Sequence, residues 1–171
     1  MKFRAKVFFD APSDMIWEAR EKRFENPDKF PELQKHEELE RREEDGKIYS
    51  KRKIELSASI PKPLRRVLSE DMMKCIDDSV YDLEAGTHKW EITPTFKTKA
   101  FKCTGFSKYT DFEENGEAKT KREIELEVKV NIPMLGTMAE QVILEAYKKN
   151  LDRDNESMKK MIGMMKQEKD D

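Results

Sequence analysis

The chain has 171 residues, enough for one full hydrophobic core and short of two typical domains. Its 34 basic and 36 acidic residues interleave to a formal net charge of −2, without the basic surplus on which a general nucleic-acid binder relies. No apolar run approaches the roughly 18–20 residues that span a bilayer, and the first ten residues lack a signal-peptide core, so a cytoplasmic location is expected.

Residues 1–10 alternate Phe3, Ala5, Val7 and Phe9 against Lys2, Arg4 and Lys6, the period of a strand. Phe8 breaks the polar row and is expected to pack under a loop. Ala11-Pro12-Ser13-Asp14 then punctuates the chain, with Ser13 or Asp14 as a helix cap. A short helix carries Met15, Ile16, Trp17, Ala19 and Arg20 and ends at Asn26-Pro27. From 37 to 60 the pattern is a hairpin turning at Asp45-Gly46, with Ile48, Ile54, Leu56, Ala58 and Ile60 on one face. Pro61-Lys62-Pro63 interrupts it, and residues 64–68 read as one or two helical turns.

Three further strands are expected at 73–84, 88–93 and 100–113, the last turning at Asn115-Gly116. The phase of 100–113 is ambiguous. Placing Phe101, Cys103, Gly105, Ser107 and Tyr109 inward sets Lys102 and Lys108 beside the outward Glu123, Glu125 and Glu127, a favourable cross-strand arrangement. The strand at 121–132 alternates Ile124, Leu126, Val128, Val130 and Ile132 with charged residues. Pro133 stops the sheet. A helix over 135–166 then bears the stripe Leu135, Met138, Val142, Ala146 with Tyr147, Leu151, Asn155, Met158, Met161 or Ile162, and Met165. Asn155 on this stripe implies either a polar partner or an outward curve of the stripe, and the curve is the favoured expectation.

An apolar helix stripe must be buried, and the sheet's inner face is the one large apolar surface available. The expected architecture is α+β: a curved seven-stranded antiparallel sheet wrapped around the long C-terminal helix. Residues 1–166 form one domain and 167–171 a frayed polar tail. On this order another strand separates Cys75 from Cys103 by about 9–10 Å, too far for a disulfide, so both are read as buried thiols.

The layout resembles the START-like (SRPBCC, helix-grip) superfamily over nearly the whole chain. Asp10-Ala11-Pro12-Ser13-Asp14-Met15-Ile16-Trp17 is similar to its strand-to-helix entry. Two segments resemble a bacterial branch of unassigned function and, more loosely, PRELI-type phospholipid-transfer proteins. They are Ser59-Ile60-Pro61-Lys62-Pro63-Leu64-Arg65-Arg66-Val67-Leu68 and Val128-Lys129-Val130-Asn131-Ile132-Pro133-Met134-Leu135-Gly136-Thr137-Met138-Ala139-Glu140. The resemblance implies a cavity between sheet and helix and makes a hydrophobic, lipid-like ligand the expected partner. It carries over no catalytic residue.

The expected cavity wall is Trp90, Ile92, Phe101, Cys103, Gly105, Ser107, Tyr109, Leu126 and Val128 from the sheet, with Met138, Val142 and Tyr147 from the helix. Gly105 and Ser107 are small enough to leave space beside them. Lys62, Leu64, Arg65 and Leu68 are expected at the cavity mouth, where a basic, apolar turn suits transient contact with a membrane surface. His36 and His88 have no metal-ligand spacing, and no phosphate loop, nucleophile elbow or Cys-x-x-Cys is present, so neither a metal nor a cofactor is expected. Asp77 and Asp78 point to opposite faces of a strand and cannot act as a pair. A cyclase- or hydrolase-type enzyme using the same cavity remains the alternative, with His88, Tyr109 and Tyr147 as its candidate polar groups. A protein-interaction adaptor is the third reading.

Overall fold

Alternating side chains build most of the molecule, because each strand has one face to bury. The computed structural model describes residues 1–33 and 35–171. These form β1 (Lys2–Phe9), α1 (Ser13–Lys22), β2 (Glu37–Glu44), β3 (Lys47–Glu55), β4 (Lys74–Asp82), β5 (Thr87–Pro94), β6 (Phe101–Glu114), β7 (Glu117–Val130) and α2 (Gly136–Asp170). The seven strands make one antiparallel sheet in the order β1-β7-β6-β5-β4-β3-β2. The long helix packs along its inner face in the helix-grip arrangement, as expected. Both foreseen hairpin turns have left-handed residues at Asp45-Gly46 and Asn115-Gly116, which the right-handed twist of paired strands demands.

Several boundaries shift for local reasons. β3 ends at Glu55 rather than running to Ile60; Leu56 makes one last bond to the Met73 carbonyl before the Pro61-Pro63 segment leaves the sheet. β7 starts at Glu117, so that its inward row gains Thr120 ahead of Arg122. α2 continues to Asp170, since the Lys- and Glu-rich end expected to fray favours helix even while exposed. The N-cap of α1 is Pro12, whose side chain makes no cap bond, although Asp14 accepts from the Met15 amide (2.7 Å). Asp111 of β6 instead accepts from the Ser13 amide (2.7 Å) and the Ser13 hydroxyl (2.9 Å), tying the helix start to the sheet. Phe8 lies under no loop; it is 56% exposed on the outer face and meets Phe112 edge to face.

The outer face is a charge lattice with a different pairing from the one expected. Glu125 and Glu123 face Arg4 (3.0 Å) and Lys6 (3.9 Å) of β1, while Lys102 pairs with Glu91 of β5 (3.0 Å). Lys108 donates to the Ala85 carbonyl instead.

The inner phase chosen for β6 is the observed one: Phe101, Cys103, Ser107 and Tyr109 are buried. Register then sorts the inner face into two sectors. Across β5, β6, β7 and β1 it is mainly apolar, with Ile92 opposite Cys103, Cys103 opposite Val128, and Leu126 opposite Phe3. Across β3, β4 and the start of β5 it carries Ser50, Arg52, Asp77, Ser79 and His88.

The stripe of α2 buries Ala139, Ile143, Tyr147, Leu151, Asn155, Met158, Ile162 and Met165. Met138 is 43% exposed and Val142 only half-buried, because the buried line begins one residue later, at Ala139. Two apolar clusters result. One gathers the first half of α2, through Leu151, on the sheet; the other packs its second half, from Met158, against α1, Phe9, Phe30 and Leu33.

Gly105 leaves no empty space. The Trp90 indole occupies it so closely that a Cβ there would fall 2.0 Å from Trp90 Cε2. Because the indole is buried and held by its neighbours, Gly105→Ala is expected to destabilise the protein by about 1–3 kcal/mol. A urea midpoint followed by tryptophan fluorescence measures this, and an unchanged midpoint would show that the indole moves freely.

Candidate functional site

Between the two apolar clusters, α2 turns Asp154, Asn155 and Ser157 toward the interior, and three arginines meet them there. Arg20 and Arg23 come from the inner face of α1 and the 3-10 turn at Arg23–Glu25, one helical turn beyond Ile16. Arg122 comes from β7, in phase with Ile124 and Leu126. Arg20 is 5% exposed, and Arg23 and Arg122 are each 1% exposed.

All three bind one carboxylate. Asp154 accepts from Arg23 at 2.9 Å, and from Arg20 and Arg122 at 3.3 Å. Arg23 also donates to Ser157 (2.5 Å), Arg20 to the Tyr109 hydroxyl (3.1 Å), and Arg122 to Ser107 (3.0 Å) and to Asn155 Oδ1 (2.6 Å). Asn155 therefore stays on the buried stripe and has a polar partner; the stripe does not curve outward there. Burial alone would raise the Asp154 carboxyl, but the charges of Arg20, Arg23 and Arg122 outweigh it and hold the group well below the ordinary carboxylate range.

Beside this cluster is a cavity of about 190 Å³. Its inner wall includes Trp90, Tyr81, Tyr147, His88, Asp77 and Arg52, and its outer rim carries Glu32, Lys35, Glu55 and Arg153. Arg52 lies 4.1 Å over the Phe24 ring, and Glu38 is 4.0 Å away on the surface. Among the described residues, Arg20 Nε, Arg52 Nε, Trp90 Nε1 and His88 Nδ1 are buried without a hydrogen-bond partner, and all four side chains line this one cavity. Buried polar atoms are rarely left so. These four side chains therefore border one space with polar atoms that lack partners among the described residues.

Other groups lining the cavity also titrate away from their ordinary values. Burial raises Asp77 to about 6, against the lowering effects of its Ser79 hydrogen bond and Arg52. Burial, then the charges of Arg20 and Arg122, hold His88 well below its ordinary value, so its ring is neutral. Burial also raises Tyr147 well above the phenol value. Away from the cavity, burial pushes the Cys75 thiol up to about 12 and Cys103 higher still, so neither is a thiolate nucleophile near neutral pH. Both are free thiols on strands that flank β5.

Of the residues expected to line the cavity, Trp90 and Tyr147 do so. Ile92, Phe101, Cys103, Leu126 and Val128 are packed in the apolar core, Gly105 is covered by Trp90, and Ser107 is spent on Arg122. Tyr109 is buried under Trp17 and bonded to Arg20, behind the cavity wall, while Met138 and Val142 lie on the flank of α2. The space moved because the strands that bring large apolar side chains inward fill it, and the strands that bring charge inward cannot. At the expected mouth, Leu64 and Leu68 are fully buried core residues, and Lys62 and Arg65 face solvent; none of the four borders the cavity. The residues missed were Arg20, Arg23, Arg52, Arg122 and Asp154. Arg122 and Arg52 were legible as in-phase continuations of inward rows, whereas Asp154 carried no signal apart from its place beside Asn155.

The two aspartates give opposite pH signatures. Asp154 titrates lower folded than unfolded, so its stabilisation is full above about pH 4 and lost below it. Asp77 titrates higher folded, so its ionisation weakens the fold, and stability rises as pH falls from about 6 toward its unfolded value near 4. Asp77→Asn keeps an acceptor for Ser79 and removes the charge. It is expected to stabilise the protein at neutral pH by on the order of 1–2 kcal/mol and to flatten the urea midpoint between about pH 4 and 6. A wild-type pH slope in the variant would count against a buried, titrating Asp77.

Solved structures share this architecture at low sequence identity. The Zhui aromatase/cyclase from Streptomyces sp. R1128 is 14% identical with a TM-score of 0.60, covering 95% of this chain and 93% of its own. The protein TTHA0849 from Thermus thermophilus is 15% identical with a TM-score of 0.57, covering 96% and 99%. A START superfamily protein from Mycobacterium smegmatis is 12% identical with a TM-score of 0.56, covering 96% and 98%. No functionally curated protein matches the sequence significantly. Among the described residues no helix is long and apolar enough to cross a membrane, and no cluster of His, Cys, Asp and Glu is arranged to hold a metal. Residues 6–162 match a family model described as "Protein of unknown function (DUF2505)", and the chain, START-like in fold, belongs to that family.

Proposed function

We propose that this protein binds a small organic acid with a flat apolar body in the cavity between α1, α2 and the β3–β5 sector of the sheet. The observation that carries this reading is the buried charge imbalance. Three guanidiniums share the single Asp154 carboxylate, which leaves an excess of two positive charges beside the cavity. Arg52 adds another, answered by the exposed Glu38 at 4.0 Å and by the charge of Asp77 opposite it on β4, so the four guanidiniums still exceed the two buried carboxylates by two when Asp77 is ionised. A buried positive excess is stabilised by an anion that can also take the free N–H groups of Arg20, Arg52 and Trp90.

The walls support a ring-shaped body, since Trp90, Tyr81 and Tyr147 present aromatic surface. Size supports a small one. A cavity of roughly 150 Å³ holds a benzene ring, so about 190 Å³ suits a ring with one or two substituents and excludes a two-chain lipid. The lipid-like ligand expected from the family resemblance thus becomes, on this reading, a compact amphipathic acid. The START-like fold, which is a ligand-binding fold, supports the general assignment.

Benzoate and its uncharged counterpart benzamide provide the test. Benzoate is expected to raise the melting temperature in proportion to its concentration and to give a saturable calorimetric isotherm, while benzamide does neither. Arg52→Gln should weaken benzoate about tenfold or more, the contribution of one hydrogen bond to a charged group, with an unchanged circular-dichroism spectrum. Equal binding of benzamide and benzoate, or binding of neither, would refute the acid-binding reading.

A further inference from the structure

The Ser79 hydroxyl has one proton and two neighbours that could take it. It lies 2.6 Å from Asp77 Oδ1, two residues away on β4, and 3.1 Å from His88 Nε2 on β5. Above its titration near 6 the Asp77 carboxylate can only accept, so the hydroxyl donates to Asp77. Ser79 Oγ then faces His88 as an acceptor, which places the imidazole proton on Nε2. His88 is 6% exposed and held between Tyr81, stacked at 4.0 Å, and Trp90 at 4.5 Å. Its other nitrogen, Nδ1, carries an in-plane lone pair and has no partner among the described residues.

This makes Nδ1 the opposite of the other orphaned atoms in the cavity. Arg20 Nε, Arg52 Nε and Trp90 Nε1 can only donate. An acid group satisfies donors, but it cannot satisfy a bare imidazole nitrogen. We propose that His88 Nδ1 accepts a hydrogen bond from a hydroxyl on the bound acid, so that the ligand class is the small hydroxy acid rather than the simple carboxylate. The proposal rests on the acid-binding reading above and narrows it.

The groups that face His88 keep it in this state. Arg20 from α1, Arg122 from β7 and Arg52 from β3 oppose a second proton on the ring, Asp154 from α2 favours one, and burial opposes it most. Asp77 acts through Ser79. When Asp77 takes a proton, its O–H can donate to Ser79 Oγ, and the Ser79 proton turns to His88 Nε2. The imidazole proton then exchanges to Nδ1, which becomes a donor. The same relay that selects a hydroxyl above the Asp77 titration therefore rejects it below: Asp77 takes up one proton from solvent, while the ring loses its Nε2 proton and gains one at Nδ1 and stays neutral.

Calorimetric titration of the full chain with benzoate, meta-hydroxybenzoate and para-hydroxybenzoate, at about pH 7.5 and about pH 5 on either side of the Asp77 titration, tests this. At the higher pH one hydroxybenzoate should bind about three- to tenfold tighter than benzoate, the effect of one added hydrogen bond. The ratio should fall to about one at the lower pH and in Ser79→Ala. Nitrogen-15 NMR of the free protein should show His88 protonated at Nε2 and bare at Nδ1 at the higher pH, a signature that a packing role alone would not produce. Benzoate bound as tightly as both hydroxybenzoates would overturn the hydroxyl contact and leave the acid site standing. A hydroxyl preference untouched by Ser79→Ala, or a proton found on Nδ1, would also overturn it. Failure of all three acids to bind would remove both readings.

Discussion

Asp154 stands where the two halves of the molecule meet, and three guanidiniums reach it from three different elements. α1 supplies Arg20, the turn after it Arg23, and β7 Arg122, while the carboxylate itself sits midway along α2. None of these charges has enough water to stand alone. Removing one partner from such a buried set typically costs about 3–5 kcal/mol, because the rest are left uncompensated. The cluster therefore fixes the position of α1 on the sheet and the rotation of α2 about its axis. Two apolar clusters can then pack on either side without sharing a single continuous core.

That division also explains where the space is. Close packing fills the apolar sector, where the Trp90 indole takes the volume that Gly105 concedes. In the polar sector, no large apolar side chain among the described residues reaches in from the neighbouring strands to take up the volume. Arg52, Asp77 and His88 consequently border a cavity instead of collapsing into it. The helix-grip sheet supplies the enclosure, and the charge distribution on β3–β5 and α1 decides which part of it stays open.

The electrostatics of that opening are asymmetric in a useful way. Arginines cannot shed their protons, so their positive charges are permanent across physiological pH. The adjustable group is Asp77, a carboxyl titrating near 6 that Ser79 links by hydrogen bonds to His88. On the proposed reading, a fixed charge for one end of the ligand beside a protonation-dependent contact at the other suits discrimination among similar small acids.

Local periodicity carried the fold. The alternation of Ile124, Leu126 and Val128, the Asp45-Gly46 and Asn115-Gly116 turns and the three-and-four spacing from Tyr147 to Met165 depend on near neighbours in the chain, so they were readable from the sequence alone. The inner phase of β6 was readable too, because Phe101, Cys103 and Tyr109 could be weighed against the lysines between them. The site was a different kind of problem. Arg20, Arg122 and Asp154 lie more than thirty residues apart from one another, and each alone looks like an ordinary surface charge. Only the crossing of α1 and α2 over β7 makes them one cluster. Likewise, Gly105 and Ser107 announced a gap in the sequence, but whether a gap persists depends on what packs against it, and Trp90 and Arg122 arrive from other strands. Secondary structure is set by contacts a few residues long, whereas the charge and volume of a cavity are set by side chains that meet only after the sheet has curved around its helix.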